Sequence, residues 1–154
     1  MPSSISVNSL SPKFKKYENK IKKTASAVLK FLKKDNSSLA VFLIEDSLIK
    51  SLNQKFRKKN KPTNILSFQE PDIFPHPEME KNGLKCLGEV FLAPAYIEKR
   101  DENISFLLIH GLLHLLDYTH SGKSDKILME RKEREVLANI SVPRKRYARN
   151  NNRP

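Results

Sequence analysis

Residues Ile104 to Gly122 read ISFLLIHGLLHLLDYTHSG and contain three of the four histidines in the chain. The run Ile104–Leu116 is apolar apart from Ser105, Gly111 and two histidines, a pattern typical of a buried helix. It is too short to cross a bilayer, which needs about 20 residues. The sequence therefore predicts a histidine-bearing helix inside a folded domain.

The spacing of these histidines predicts a metal site. His110 and His114 are four residues apart and would share one face of the helix. His120 follows a break in the apolar run, and a chain that turns back there would bring it to the same ion. Three imidazoles with an open fourth position are typical of catalytic zinc, here one ion per chain, although nickel or copper would also suit them. The alternative is a pair of core histidines satisfied by hydrogen bonds, which the clustering of all three disfavours.

The overall charge points to a polyanionic partner. The chain has 154 residues and a net charge of +12, which favours nucleic acid over a membrane because no segment resembles a membrane span or a signal peptide. Cys86 is the only cysteine, so we expect no disulfide framework and a cytoplasmic location. We expect one domain over residues 1–142 and a basic, disordered tail over residues 143–154.

The hydrophobic pattern predicts an α+β fold, in which a mixed sheet of about four strands packs against helices. Asp46 and Ser124 or Asp125 are the expected N-caps of the second and the last helix. The expected strands and helices, in chain order, are strand Ile5–Val7, helix Pro12–Lys34, strand Leu39–Ile44, helix Ser47–Lys58, strand Asn64–Phe68, strand Gly88–Leu92, a short helix from Pro94, the histidine helix, and a last helix that ends before Pro143.

Between the third and fourth strands, Gln69–Cys86 is expected to be a long loop. It contains three prolines and an Asn-Gly pair, and loops of this length often act as lids. His76 lies in this loop and is interpreted as a surface residue.

Gly111 limits the chemistry of the metal site. Zinc proteases of the common helical type carry a glutamate directly after the first histidine as general base, and glycine cannot move a proton. Gly111 would instead allow another element to approach the helix closely. An ordinary protease is therefore disfavoured, and the basic charge makes a phosphodiester the expected substrate.

Three stretches resemble the YbeY family of bacterial endoribonucleases. The segment from His110 to His120 reads HGLLHLLDYTH and is similar to the family signature H-G-x-L-H-L-x-G-Y-D-H. Leu52–Arg57 and Pro62–Phe68 resemble L-N-x-x-[YF]-R and P-T-[DN]-V-L-S-F, and Leu87–Val90 resembles L-G-[DE]-[IV]. The resemblance covers the region from Leu39 to Ile140.

This resemblance implies a metal-dependent endoribonuclease that acts on single-stranded RNA in ribosomal RNA maturation and ribosome quality control. It implies an α+β fold, zinc held by His110, His114 and His120, and a functional arginine at Arg57. A planar guanidinium can grip phosphate with two donors, although from the residues alone its lysine neighbours are equal candidates for phosphate contact.

Two positions depart from the family pattern. Asp117 stands where the family has glycine, and Thr119 where it has aspartate. Neither change removes a ligand, but both affect the turn and the groups around the metal. Because the helix must end before His120, we expect a left-handed residue at the position of Asp117. Glu89 and Asp117 are the nearby acids that could act as general base, unless the metal alone activates water.

Two other functions are compatible with the same residues. One is a different zinc metallohydrolase, including a protease that lacks the usual glutamate. The other is a non-catalytic factor that binds RNA or the ribosome and contains structural zinc. Four protein ligands would indicate the structural site, and an open fourth position the catalytic one.

Overall fold

A computed structural model of the chain describes residues 3–70, 83–118 and 122–140. His76, Thr119, His120 and the basic tail lie outside the described residues, as does most of the expected loop. Within the described part, no helix is long and apolar enough to span a membrane.

In the described residues, four strands form one mixed sheet, as the sequence predicts. The sheet has the order β1-β2-β4-β3, in which β1, β2 and β4 are parallel and β3 is an antiparallel edge strand. The strands are β1 (Ser4–Ser9), β2 (Ser37–Leu43), β3 (Ile65–Gln69) and β4 (Lys85–Leu92). Gln69 and the Lys85–Cys86 pair therefore belong to strands, and the expected loop is shorter at both ends because backbone pairing continues past the apolar positions.

Five α-helices accompany the sheet in the described part of the chain. They are α1 (Glu18–Phe31), α2 (Asp46–Arg57), α3 (Pro94–Lys99), α4 (Ile104–Leu115) and α5 (Lys123–Asn139). Residues Pro12–Tyr17, which were expected to be part of the first helix, form a 3-10 helix instead.

Both expected N-caps are wrong by one to three residues. Glu45 is the N-cap of α2, and Asp46 lies in its first turn. Gly122 is the N-cap of α5, and Asp125 lies in its first turn. An acidic residue near a helix N-terminus also stabilises the helix dipole, so the same sequence signal fits either position.

The histidine helix α4 lies at the centre of the main core. It contacts α1 and α5 on its helical side and β3 and β4 on the sheet. Leu108, Ile109, Leu112 and Leu113 of α4 are fully buried there. A second, smaller cluster on the opposite face of the sheet contains Ile44, Ile49, Leu66 and Ala93.

Gly88 is required by the way β4 passes between its neighbours. Its φ is +133°, a conformation that side chains rarely adopt, and it follows a register shift in the pairing of β2 with β4. A Cβ atom at this position would collide with the backbone oxygen of Phe68 in β3. The glycine of the Leu87–Val90 segment is therefore explained by backbone packing.

We predict that Gly88→Ala lowers the free energy of unfolding by about 2 kcal/mol or more, because a backbone clash adds to an unfavourable φ. Gly83→Ala is the matched control, since Gly83 also has a positive φ (+71°) but no described atom within 4 Å of an added Cβ. It should cost only about 1 kcal/mol. Chemical denaturation of the three proteins measures the difference, and equal losses would contradict the clash.

Candidate metal centre

The two histidines of α4 are positioned by a helix with defined ends. At its N-terminus, the Asn103 side chain accepts a hydrogen bond from the Phe106 backbone N–H at 3.1 Å. From there the helix runs without a break to Leu115. His110 and His114 therefore lie one turn apart, as predicted, and their rings are edge to face with centroids 4.8 Å apart.

The Nε2 atoms of His110 and His114 are 3.2 Å apart. Two imidazole nitrogens on one tetrahedral zinc ion, each bound at about 2.0–2.1 Å, would be roughly 3.3 Å apart. The observed separation therefore fits two ligands of a single zinc ion without a change in the backbone. In the absence of an ion, the same distance suits a hydrogen bond from one ring to the other.

A buried carboxylate lies behind the first histidine. Glu133 Oε2 of α5 is 2.6 Å from Nδ1 of His110, and the glutamate side chain is 9 % exposed. An ionised carboxylate only accepts hydrogen bonds, so Nδ1 carries the proton and donates it. The lone pair of His110 is then on Nε2, the nitrogen that faces His114.

Close packing of β3 on α4 forms the wall opposite the histidines. A Cβ added to Gly111 would lie 2.6 Å from Cδ1 of Ile65 and 2.8 Å from Oγ of Ser67. The glycine after the first histidine therefore allows the close approach that the sequence suggested.

A cleft of about 550 Å³ lies between β3 and α4. The α4 wall contains both described histidines together with Phe106, Leu107, Gly111 and Leu115. The opposite wall contains the uncharged residues Thr63, Asn64, Ile65, Ser67 and Gln69.

Arg57 lines the same cleft from the last turn of α2. Its lysine neighbours Lys55, Lys58 and Lys59 are not among the described lining residues. The geometry thus separates the arginine from cations that the sequence alone leaves equivalent. None of the described lining residues is a carboxylate, so the cleft presents one permanent positive charge to a ligand.

The C-terminus of α4 has the left-handed residue that the sequence predicts. Asp117 has φ +75°, its N–H donates to the His114 carbonyl, and the Tyr118 N–H donates to the Leu113 carbonyl. These two bonds form a Schellman motif, in which glycine is the usual left-handed residue. The Gln69 amide of β3 donates to the Leu115 carbonyl at 3.2 Å and to Oδ1 of Asp117 at 2.7 Å.

Of the expected site residues, the structure brings together His110, His114 and Arg57, while His120 lies outside the described residues. The prediction that Glu89 could act as general base is wrong. It pairs with Phe68, whereas Ser67, which lines the cleft, pairs with Val90. Successive strand residues point to opposite faces, so Glu89 lies on the side away from the cleft.

Glu133 was missed by the sequence analysis, although the sequence contains a signal for it. On a helix it shares the apolar face of Met129, Val136 and Leu137, all of which are buried. A carboxylate within such a face must have a partner, because burying an unpaired charge is very unfavourable. A histidine is a suitable partner.

Comparisons with known proteins agree with this fold. The model of the family Endoribonuclease YbeY matches residues 5–141. The Endoribonuclease YbeY of Ehrlichia canis (strain Jake) is 36% identical over 150 residues, which covers 84% of this chain and 90% of the relative. That of Wolbachia sp. subsp. Drosophila simulans (strain wRi) is 36% identical over 126 residues, with coverage of 75% and 78%.

One solved structure has the same fold. The solution structure of TM1509 from Thermotoga maritima superposes with a TM-score of 0.50 at 24% identity and covers 87% of this chain and 89% of that one. Together, these similarities place the chain among the endoribonucleases, nucleases that hydrolyse RNA. It belongs to the YbeY family.

We predict that Asp117 acts as a helix terminator, so that Asp117→Gly keeps the free energy of unfolding within about 1 kcal/mol of the wild type. Glycine relieves the left-handed strain but loses the bond from Gln69. Asp117→Ala keeps the strain and loses the bond, and should destabilise by about 1–2 kcal/mol. Denaturation curves and zinc affinity measure both effects. A loss of zinc affinity of about 10–100-fold in Asp117→Gly would instead mean that Asp117 supports a ligand.

Proposed function

We propose that this protein is a metal-dependent endoribonuclease that cleaves single-stranded RNA during ribosomal RNA maturation and ribosome quality control in the cytoplasm. His110, His114 and His120 hold one zinc ion, and Arg57 binds the phosphate at the cleaved bond. The observation that carries the proposal is the arrangement of Arg57 and the two Nε2 atoms around one cleft. Family membership supports the choice of RNA as substrate.

The charges of the cleft favour a phosphodiester. Arg57 is the only charged residue among the described residues that line it. A guanidinium can donate two parallel hydrogen bonds to phosphate oxygens and stabilise the charge that develops on them. The net charge of +12 adds a long-range attraction for RNA.

The shape and polarity of the cleft favour a single strand. Its volume of about 550 Å³ lies in the range of ligand pockets and suits splayed nucleotides better than a duplex. Thr63, Ser67 and Gln69 line one wall with neutral polar side chains. Such groups can bond to ribose hydroxyls and base edges, which are accessible in unpaired RNA.

The residues on different sides of the cleft have different proposed roles. The histidines of the α4 wall would hold the metal ion, and a bound zinc ion would supply Lewis-acid chemistry in the cleft. Arg57 orients the phosphate and stabilises its negative charge. Since the described lining residues include no carboxylate, we assign no side chain of the cleft as general base.

We predict that His110→Ala, His114→Ala and His120→Ala each reduce bound zinc to well below one ion per chain and abolish RNA cleavage. His76→Ala is the matched control, because the fourth histidine is interpreted as a surface residue and should keep full metal and activity. Elemental analysis and cleavage of a labelled single-stranded RNA measure both quantities, with EDTA-treated wild type and a duplex substrate alongside. Full cleavage after chelation would contradict metal dependence, and metal retention without cleavage would favour a structural zinc site.

We predict that Arg57→Ala keeps the metal and the fold but lowers the cleavage rate by at least about 100-fold, the scale for loss of one donor to transition-state charge. Arg57→Lys should restore little, because an ammonium does not reproduce the two-pronged geometry. Lys59→Ala is the matched control for charge and should retain most of the rate. Single-turnover kinetics at saturating RNA measure the effect, and a wild-type rate in Arg57→Ala would rule out the assigned role.

A further inference from the structure

Glu133 is the one buried acid in the described part of the chain. It lies on the apolar face of α5, and its carboxylate is 2.6 Å from Nδ1 of His110. The histidine side chain is 27 % exposed and the glutamate 9 %, so the bond is largely shielded from water. Burial of a charge at this depth requires a specific partner, and the imidazole is the partner that the structure provides.

Neutral imidazole can carry its single ring proton on either nitrogen. A proton on Nε2 would block metal binding through that atom, whereas a proton on Nδ1 leaves Nε2 available. The Glu133 carboxylate selects the second form by accepting a hydrogen bond from Nδ1–H. It also restricts rotation of the ring, since α5 is packed against α4 by its buried Met129, Val136 and Leu137.

We infer that Glu133 is the positioning residue of the metal centre: it holds His110 in the tautomer and orientation that bind the ion, and it supplies a negative charge next to a divalent cation. This inference depends on the proposed zinc site. A carboxylate bonded to a ligand histidine raises the basicity of the ligand, and loss of such a group typically reduces metal affinity by about 10–100-fold.

The rival interpretation is that Glu133 only anchors α5 to α4. The two roles predict different effects of Glu133 on the stability of the metal-free protein. An anchor stabilises the fold with or without metal. A positioning residue stabilises the protein only through the bound ion. Its buried charge does not stabilise the metal-free fold, because buried ionic groups can often be replaced by apolar ones without loss of stability.

The test compares Glu133→Met, Glu133→Gln and the wild type. Methionine has a similar length and removes the buried charge, while glutamine keeps an acceptor without the charge. Glu130→Gln is the control, because Glu130 is an exposed acid on the same helix. Zinc affinity is measured by competition with a chelator, and the melting temperature is measured in excess EDTA.

We expect Glu133→Met to bind zinc about 10–100-fold more weakly and Glu133→Gln to lie between it and the wild type. The melting temperature of the metal-free proteins should not fall, and the control should be unchanged in both measurements. The absorption spectrum of the cobalt-substituted Glu133→Gln protein should differ from that of the wild type, because the field of the His110 ligand changes.

Unchanged zinc affinity in both variants would overturn the inference, as would a fall in metal-free melting temperature that accounts for the whole loss of affinity. If Glu133→Met lowers both the zinc affinity and the metal-free melting temperature, the Glu133→Gln variant distinguishes the two roles, because glutamine preserves the shape and an acceptor. A loss of zinc affinity with an unchanged metal-free melting temperature in Glu133→Gln supports the positioning role. Parallel losses of affinity and melting temperature contradict it. Failure of the wild type to bind zinc would overturn the proposed metal centre itself.

Discussion

The close packing of the edge strand β3 on helix α4 is the constraint on which the site depends. Gly111 has no side chain, so Ile65 and Ser67 of β3 can lie directly against the helix. The segment before β3 leads back to α2, and this connection brings Arg57 to the same cleft as His110. A wider separation between strand and helix would move the arginine and the polar wall away from the histidines together.

The charges around the histidines are arranged on two sides. Arg57 lines the open cleft, where an anionic ligand would enter, while Glu133 lies buried behind His110. The cation lies where a ligand in the cleft could reach it, whereas the carboxylate contacts the imidazole and is not among the described residues that line the cleft. Glu133 is shielded from solvent, so its charge interacts with the His110 ring through a lower effective dielectric constant. The interaction is therefore stronger than that of an exposed acid.

Much of this arrangement could be predicted from the sequence, for identifiable reasons. The spacing of His110 and His114 fixes their relative position as soon as the segment is helical, and the apolar run makes it helical. The left-handed Asp117 follows from the need to end that helix before His120. The sheet follows from short apolar segments separated by helices.

Other features depend on tertiary contacts that a linear pattern does not contain. The side of the sheet on which Glu89 lies is set by the register of β3 with β4. The contact of Glu133 with His110 depends on how α5 packs on α4, 23 positions further along the chain. From the sequence, only the family resemblance favours Arg57 over its lysine neighbours as the functional cation. The structure distinguishes them because Arg57 is the one of these side chains among the described residues that line the cleft.

The positions of these groups along the chain have a consequence for the time at which the centre is completed. Arg57, His110 and Glu133 come from three distant segments, and Glu133 is on the last helix of the described chain. During synthesis the N-terminal segments emerge and begin to fold first. The first helix and all four strands of the sheet are therefore made before α5 is available to complete the surroundings of His110. A growing chain that has not yet reached α5 therefore holds His110 without its buried carboxylate partner, so the two histidines and the acid behind them come together only after the helix that carries Glu133 has been made.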